Sequence, residues 1–187
     1  MVKLTTPVCE FGTKAIDFNL TDCGGKNVTL QDCVGPNGLL VMFICNHCPY
    51  VQAIIDDLVK ATNNLKKAGV NTVAIMPNNW EDYPDDSPES MKELKNKYNF
   101  SFPYLIDETQ QVAKKYGAVC TPDFFGYNNN LELQYRGRFD ARGRDAVPNS
   151  GNHRSELEEA MLIIAKIGEG PRDQKPSMGC SIKWREE

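Results

Sequence analysis

The chain has 187 residues, 41% hydrophobic and 25% charged, the size and balance of one domain with a full core that needs no disulfides to fold. Its formal charge of −4 is modest and its Lys and Arg are dispersed, which leaves no footprint for nucleic acid or an anionic membrane. Lys3, Glu10, Lys14 and Asp17 interrupt every apolar run of the first thirty residues and nothing later approaches a membrane span, so a cytoplasmic protein with no membrane partner is expected.

In chain order, 18–20 and 28–30 flank Asp22-Cys23-Gly24-Gly25, whose turn chemistry predicts a small N-terminal β-hairpin within an extension over 1–35. The continuous apolar run 39–44 reads as a central strand buried on both faces. From 48 to 68, Val51, Ile54, Ile55, Leu58, Val59 and Leu65 recur at helical spacing, with Pro49 in the first turn and Gly69 as the stop, predicting one long helix. A second buried strand at 73–76 completes a βαβ unit, which requires a parallel pair. A polar loop over 78–88 leads to a helix at 89–98 and a short strand at 104–106, and Asp107 is placed to cap a helix through 116. Segments 124–127 and 131–139 flank Asn128-Asn129-Asn130 as a hairpin, and 155–167 forms the final amphipathic helix. Residues 168–187 read as a polar tail without apolar periodicity. The order predicts an α/β fold in a single domain over 1–187: the thioredoxin arrangement of a mixed central sheet with helices on both faces.

Chemistry concentrates at Cys45-Asn46-His47-Cys48, where the first central strand hands over to its helix. Two thiols three positions apart suit reversible disulfide chemistry, and unpaired N–H groups at a helix N-terminus favour thiolate over thiol. Cytosolic thiols are kept reduced, so the seven cysteines read as free, metal-bound or catalytic. Cys45, at the strand end, is expected to be the exposed attacking thiol, and Cys48 to resolve the mixed disulfide. His47 can donate to the thiolate or, protonated, pair with it, the plain alternative being a solvent-facing imidazole with no role. Thr121-Pro122 precedes the hairpin where a thioredoxin arrangement carries a cis proline, so Thr121 and Pro122 are expected to grip an extended substrate peptide by strand addition. Cys120 lies near the dithiol by the same reasoning, as an accessory thiol or as an apolar filler. Asn78, Asn79 and Asp82 follow the second central strand and are placed to line the cleft, Asn79 being taken as substrate-binding, with Asp140 and Arg142 facing them from beyond the hairpin.

Zinc is the rival within cysteine chemistry, but a structural site wants four ligands and no second C-x-x-C is present. His153 is the only other histidine, and neither metal nor cofactor is expected. A peptide-binding module with an inert dithiol is the alternative outside catalysis, since fold alone does not fix function.

Several segments together carry a family likeness. Residues 12–20 (GTKAIDFNL) are similar to G-x-x-A-P-D-F-x-L, with Ile16 replacing the proline, and 43–51, 120–124 and 179–184 (GCSIKW) are similar to segments of one branch. The chain resembles the peroxiredoxin-like branch of the alkyl hydroperoxide reductase and thiol-specific antioxidant (redoxin, AhpC/TSA) family. The family's peroxidases use P-x-x-x-T-x-x-C; with Cys48-Pro49 aligned to their Cys-Pro, Cys45 replaces the Thr and Val41 the Pro. The missing hydroxyl favours dithiol exchange, with an antioxidant role, over fast peroxide reduction, and leaves Cys48 as a peroxidatic candidate in a slower reaction. The implied partners are protein or small-molecule disulfides, peroxides and a thiol reductant. Cys180 lies in the tail, where Ile182 and Trp184 could dock it near Cys45 or Cys120 as a resolving thiol.

Overall fold

The computed structural model describes residues 2–143 and 154–186; His153 lies outside them. The N-terminal strand β1 (Lys3–Thr5) is followed by the hairpin β2 (Asn19–Asp22) and β3 (Asn27–Thr29), and by the short helix α1 (Leu30–Cys33), closed at its start by a Thr29/Asp32 capping box. The central strand β4 (Gly38–Phe43) runs parallel to β5 (Val70–Met76), as the βαβ pattern requires. β5 continues in parallel to β6 (Tyr104–Ile106), and β4 pairs antiparallel with β8 (Asp123–Tyr127), which turns back into β9 (Leu133–Tyr135). The seven strands form one mixed sheet in the order β3-β2-β6-β5-β4-β8-β9, a thioredoxin-like arrangement.

Alternation along β4 divides the core. Leu40, Met42 and Ile44 face α3 (Ile55–Lys67), α4 (Pro88–Lys97) and α6 (Glu156–Ile167) through Leu58, Leu65, Met91, Leu157 and Met161. Leu39, Val41 and Phe43 face α1 and α5 (Gln111–Tyr116) through Cys33, Val112 and Tyr116. Every residue of β4 is buried, which is why that run shows no period in the sequence.

Three expectations change. The single helix over 48–68 is two helices: α2 (Pro49–Gln52) ends at Ala53, Ile54 bonds back to Val51 at 3.1 Å in a tighter turn, and α3 restarts with Leu58 bonded to Ile54 at 2.8 Å. Asp107 serves α5 from beyond its cap position: the cap residue is Gln110, in left-handed backbone without a side-chain bond, and Asp107 accepts from the Ala113 N–H at 2.7 Å. The third change lies in the tail, which holds the strand β10 (Met178–Ser181), paired antiparallel to β1 on one side and to β7 (Cys120–Thr121) on the other in a second, three-stranded sheet. Gly179 permits that pairing, because a Cβ there would lie 2.0 Å from the Thr121 carbonyl oxygen. Beyond the strand, Ile182 is buried and Lys183 receives a backbone bond from Asn79 at 2.8 Å, so the docking sites are inside and just past a strand that hydrophobic periodicity could not reveal.

Candidate redox site

Cys45 and Cys48 bracket the turn from β4 into α2 and are both buried, at 1% and 0% exposure. An exposed Cys45 is therefore not what the fold provides. Cys48 is the N-cap residue of α2 and Pro49 its first residue, so the Cys48 sulfur sits at the positive end of that turn, whose Val51 and Gln52 N–H groups bond to the Cys48 carbonyl at 3.0 and 2.9 Å. Opposite them the Thr121–Pro122 peptide bond is cis, as the arrangement implied. The Thr121 hydroxyl lies 3.3 Å from the Cys45 Sγ, and the Cys48 thiol donates to the Thr121 carbonyl at 3.1 Å. Thr121 and Pro122 thus meet the dithiol as expected, but the Thr121 backbone edge is already paired, to Cys180 of β10.

Charge is distributed unequally between the two sulfurs. Cys48 is lowered to about 5, chiefly by a hydrogen bond from the Cys45 thiol and then, against the cost of burial, by the Val51 N–H, the Thr121 hydroxyl and the Cys180 N–H. Cys45 is pushed well above the ordinary cysteine range by burial, by acting as the donor to Cys48 and by the nearby Asp86 carboxylate. Both shifts favour charge on Cys48, the cap residue of α2, over Cys45, which lies three residues upstream of that helix N-terminus. The Thr121 carbonyl suits a Cys48 thiol rather than a thiolate; the other donors outweigh it.

Asp86 is the residue that the sequence did not single out. It is the last residue of a 3₁₀ turn begun by Pro84, is fully buried, and accepts from the Asn46 N–H at 2.8 Å, the His47 N–H at 3.3 Å and the Asn78 side-chain amide at 2.8 Å. Its other partner is the His47 ring, with Nδ1 2.7 Å from the carboxylate in an ion-pair contact rather than an aligned hydrogen bond. The carboxylate raises the His47 pKa against the opposing effect of burial. His47 stacks on Tyr83 at 5.6 Å instead of facing solvent alone. The Tyr104 hydroxyl completes the frame by donating to the Asn46 side chain at 3.0 Å. The only sequence signal for Asp86 is an acidic pair between Pro84 and Pro88, and nothing in it links that loop to a motif forty positions earlier.

Asn78 and Asn79 do not border an open cleft. Asn79 donates its N–H to the Lys183 carbonyl at 2.8 Å and its side-chain amide to Asp82 at 2.6 Å, while the Asn78 side-chain oxygen accepts from the Lys183 N–H at 2.9 Å. They hold the tail. Arg142 pairs with Asp140 and reaches Asp57 at 2.8 Å, pinning the start of α3. Asp140 alone borders a cleft of about 160 Å³ beside Pro122, whose apolar wall is built from Tyr50, Ile54, Phe139 and Met178.

Cys180 is buried beside Cys48, and Cys120 lies one residue before Thr121, its thiol pushed up by burial and 3.9 Å from the Pro122 carbonyl. For a metal, Cys45, His47 and Asp86 bring three donor atoms within 4.8 Å of one another, one short of the four that a structural zinc site uses. Among the described residues no helix is long and apolar enough to cross a membrane.

Comparison with known proteins addresses the family and the fold. The model of the AhpC/TSA family matches residues 11–139. A conserved protein from Geobacillus kaustophilus, solved by crystallography, superposes with a TM-score of 0.89 at 42% identity, covering 100% of this chain and 98% of that one. A thiol-disulfide oxidoreductase named ResA from Halalkalibacterium halodurans is 26% identical over 123 residues, 65% of each chain, so this chain spans a little under two thirds of that relative. Peroxiredoxin Bcp of Escherichia coli is 29% identical over 115 residues, 62% of this chain and 69% of that one.

Proposed function

We propose, from the premise that the chain belongs to the AhpC/TSA family, that it is a thiol-disulfide oxidoreductase whose Cys45–Cys48 pair cycles between dithiol and disulfide. Membership supports an oxidoreductase of the thiol-disulfide and peroxiredoxin-like kind. The observation that carries the finer reading is the placement of Cys48 as the N-cap of α2 with both sulfurs held on Thr121, Cys45 at its hydroxyl and Cys48 at its carbonyl, a setting that lowers the Cys48 pKa.

On this reading Cys48 takes the attacking role and Cys45 the resolving one, the reverse of the order expected from the motif alone. The Cys48 thiolate attacks one sulfur of a protein or small-molecule disulfide, forming a mixed disulfide and expelling the other sulfur as a thiolate. Cys45 then attacks the Cys48 sulfur, closing the Cys45–Cys48 disulfide and releasing the second thiolate. Its proton passes toward the His47–Asp86 pair, whose donor atoms lie within 4.8 Å of the Cys45 sulfur, and on to the departing thiolate. A thiol reductant returns the pair to the dithiol, and the cycle serves an antioxidant role. Turnover of a disulfide substrate by wild type and by Cys45→Ser tests this: the variant should stop at the mixed disulfide, and equal rates would overturn the enzymatic reading.

A second reading rests on a specific contact. The Thr121 hydroxyl, 3.3 Å from the Cys45 sulfur on the residue whose carbonyl meets Cys48, lowers the Cys48 pKa and offers the donor that Cys45 removes from the peroxidase motif, so the same thiolate can reduce a peroxide to the alcohol and become a sulfenic acid. Peroxide consumption that depends on Cys48, halts in Thr121→Val and persists in Cys45→Ser supports it. Retention of the rate in Thr121→Val contradicts it.

A further inference from the structure

β10 lies on the strand edge where an extended substrate would pair with Thr121, and its register sets Cys180 directly opposite Thr121. Its neighbour Gly179 sits over the Thr121 carbonyl, where any side chain would clash, so the backbones approach closely enough to bring Cys180 down to the dithiol. The Cys48 thiol bonds to the Thr121 carbonyl at 3.1 Å, the same carbonyl that Gly179 covers, so Cys180 lies beside Cys48 and the two thiols perturb one another's ionisation. Cys45, Cys48 and Cys180 are buried in the same side of the core. The strand is held from both ends: Thr6 and Ser177 bond reciprocally before it, at 2.9 and 3.0 Å, the Ser177 hydroxyl reaches the Pro122 carbonyl at 2.8 Å, and Asn78, Asn79 and Gln110 grip Lys183 after it. The chain has filled its own peptide edge with a cysteine-bearing strand.

We propose that Cys180 is a third exchanging thiol of this centre, which takes over the Cys48 sulfur from Cys45 and locks the C-terminal strand across the substrate edge in the oxidised protein. The step rests on the dithiol reading above. Cys180, as a thiolate, attacks the Cys48 sulfur of the Cys45–Cys48 disulfide; the Cys48–Cys180 bond forms, the Cys45–Cys48 bond breaks, and Cys45 leaves as a thiolate that takes up the proton Cys180 gave away. No net oxidation occurs, since the two electrons were already removed by the substrate disulfide. The consequence is a closed oxidised state: β10 cannot leave Thr121 for an incoming peptide until a reductant opens the Cys48–Cys180 bond, whereas in the reduced protein only hydrogen bonds and packing hold the strand on that edge.

Disulfide mapping tests this directly, because the sequence between Lys26 and Lys60 contains no Lys or Arg: trypsin leaves Cys45 and Cys48 in one peptide and Cys180 in another, ending at Lys183. The full chain is oxidised with diamide, quenched in acid, alkylated with N-ethylmaleimide and digested. The expected result in wild type is a cross-linked pair of peptides joined through Cys48 and Cys180, with matching loss of alkylated Cys180; in Cys45→Ser that pair becomes the main disulfide product. Finding only the Cys45–Cys48 bond in wild type, or Cys180 bonded to Cys120 instead, overturns the role of Cys180 and leaves the dithiol reading standing. If Cys45 and Cys48 both remain alkylated after full treatment, both readings fall.

Discussion

Asp86→Ala removes the anchor under the dithiol turn. In the wild type this carboxylate satisfies the Asn46 N–H and the Asn78 amide, both at 2.8 Å and both buried. A buried donor left unpaired costs about 1–3 kcal/mol, so the two together put the loss at about 2–6 kcal/mol. Domains of this kind are stable by about 5–15 kcal/mol, which makes the effect large but survivable. The assay is urea unfolding of the reduced protein, with the slope of free energy against denaturant checked for constancy. A second readout follows His47. Its pKa is raised in the folded wild type by Asp86, so its contribution to stability is fully present below the unfolded value of about 6.5 and is lost as pH rises through the higher folded value. Without Asp86 only burial acts strongly on the ring, the pKa falls below the unfolded value, and the sign reverses. Proton resonances of the two histidines report the shift directly. A loss under about 1 kcal/mol, or an unmoved His47 titration, would refute the anchoring role.

Ultraviolet absorbance of the thiolate should show a step near pH 5 in the wild type that is absent in Cys48→Ser and displaced toward the ordinary cysteine value of about 8.5 in Cys45→Ala, because the Cys45 thiol is the largest contributor to the lowered Cys48 pKa and alanine offers no donor in its place. The same depressed pKa makes reduced wild type lose stability relative to Cys48→Ser as pH falls through about 5. Gly179→Ala should loosen β10 by about 1–3 kcal/mol through overpacking against the Thr121 carbonyl and raise the alkylation rate of Cys48 on the order of tenfold or more; an unchanged rate would mean that β10 does not gate the thiol. Arg136→Met should cost about 3–5 kcal/mol by stranding the fully buried Asp123, and the loss should shrink as pH falls toward about 6, because burial raises Asp123 to about 6 even beside Arg136 and, without that guanidinium, the carboxyl takes up its proton at a higher pH still. Asp123→Asn added to Arg136→Met should recover stability near neutral pH, and failure to do so would assign the cost to lost packing on Phe125 instead.

What could be read from residues was decided by local pattern. The unbroken apolar run before Cys45 gave the buried β4, the spacing from Val51 to Leu65 gave the helical stretch after it, and Asn128-Asn129-Asn130 gave the hairpin, because burial, periodicity and turn chemistry are all written within a few residues. Thr121-Pro122 came from topology rather than from local signal. What escaped was held by long-range partners: Asp86 acts on a turn forty residues away, and β10 takes its place from β1 and β7 at opposite ends of the sequence while showing no alternation of its own. The assignment of charge within the dithiol also needed coordinates, since the motif alone does not tell which sulfur is the helix cap.

The central claim is that Cys48 carries the thiolate and makes the first bond to a substrate sulfur. Trapping measures it: Cys45→Ser and Cys48→Ser are each mixed, as full chains, with a disulfide-bonded peptide substrate, quenched and run without reductant. Cys45→Ser should accumulate a stable mixed disulfide through Cys48, and Cys48→Ser should form none. A mixed disulfide on Cys45 in the Cys48→Ser variant, with none in Cys45→Ser, would contradict the account and return the attacking role to Cys45.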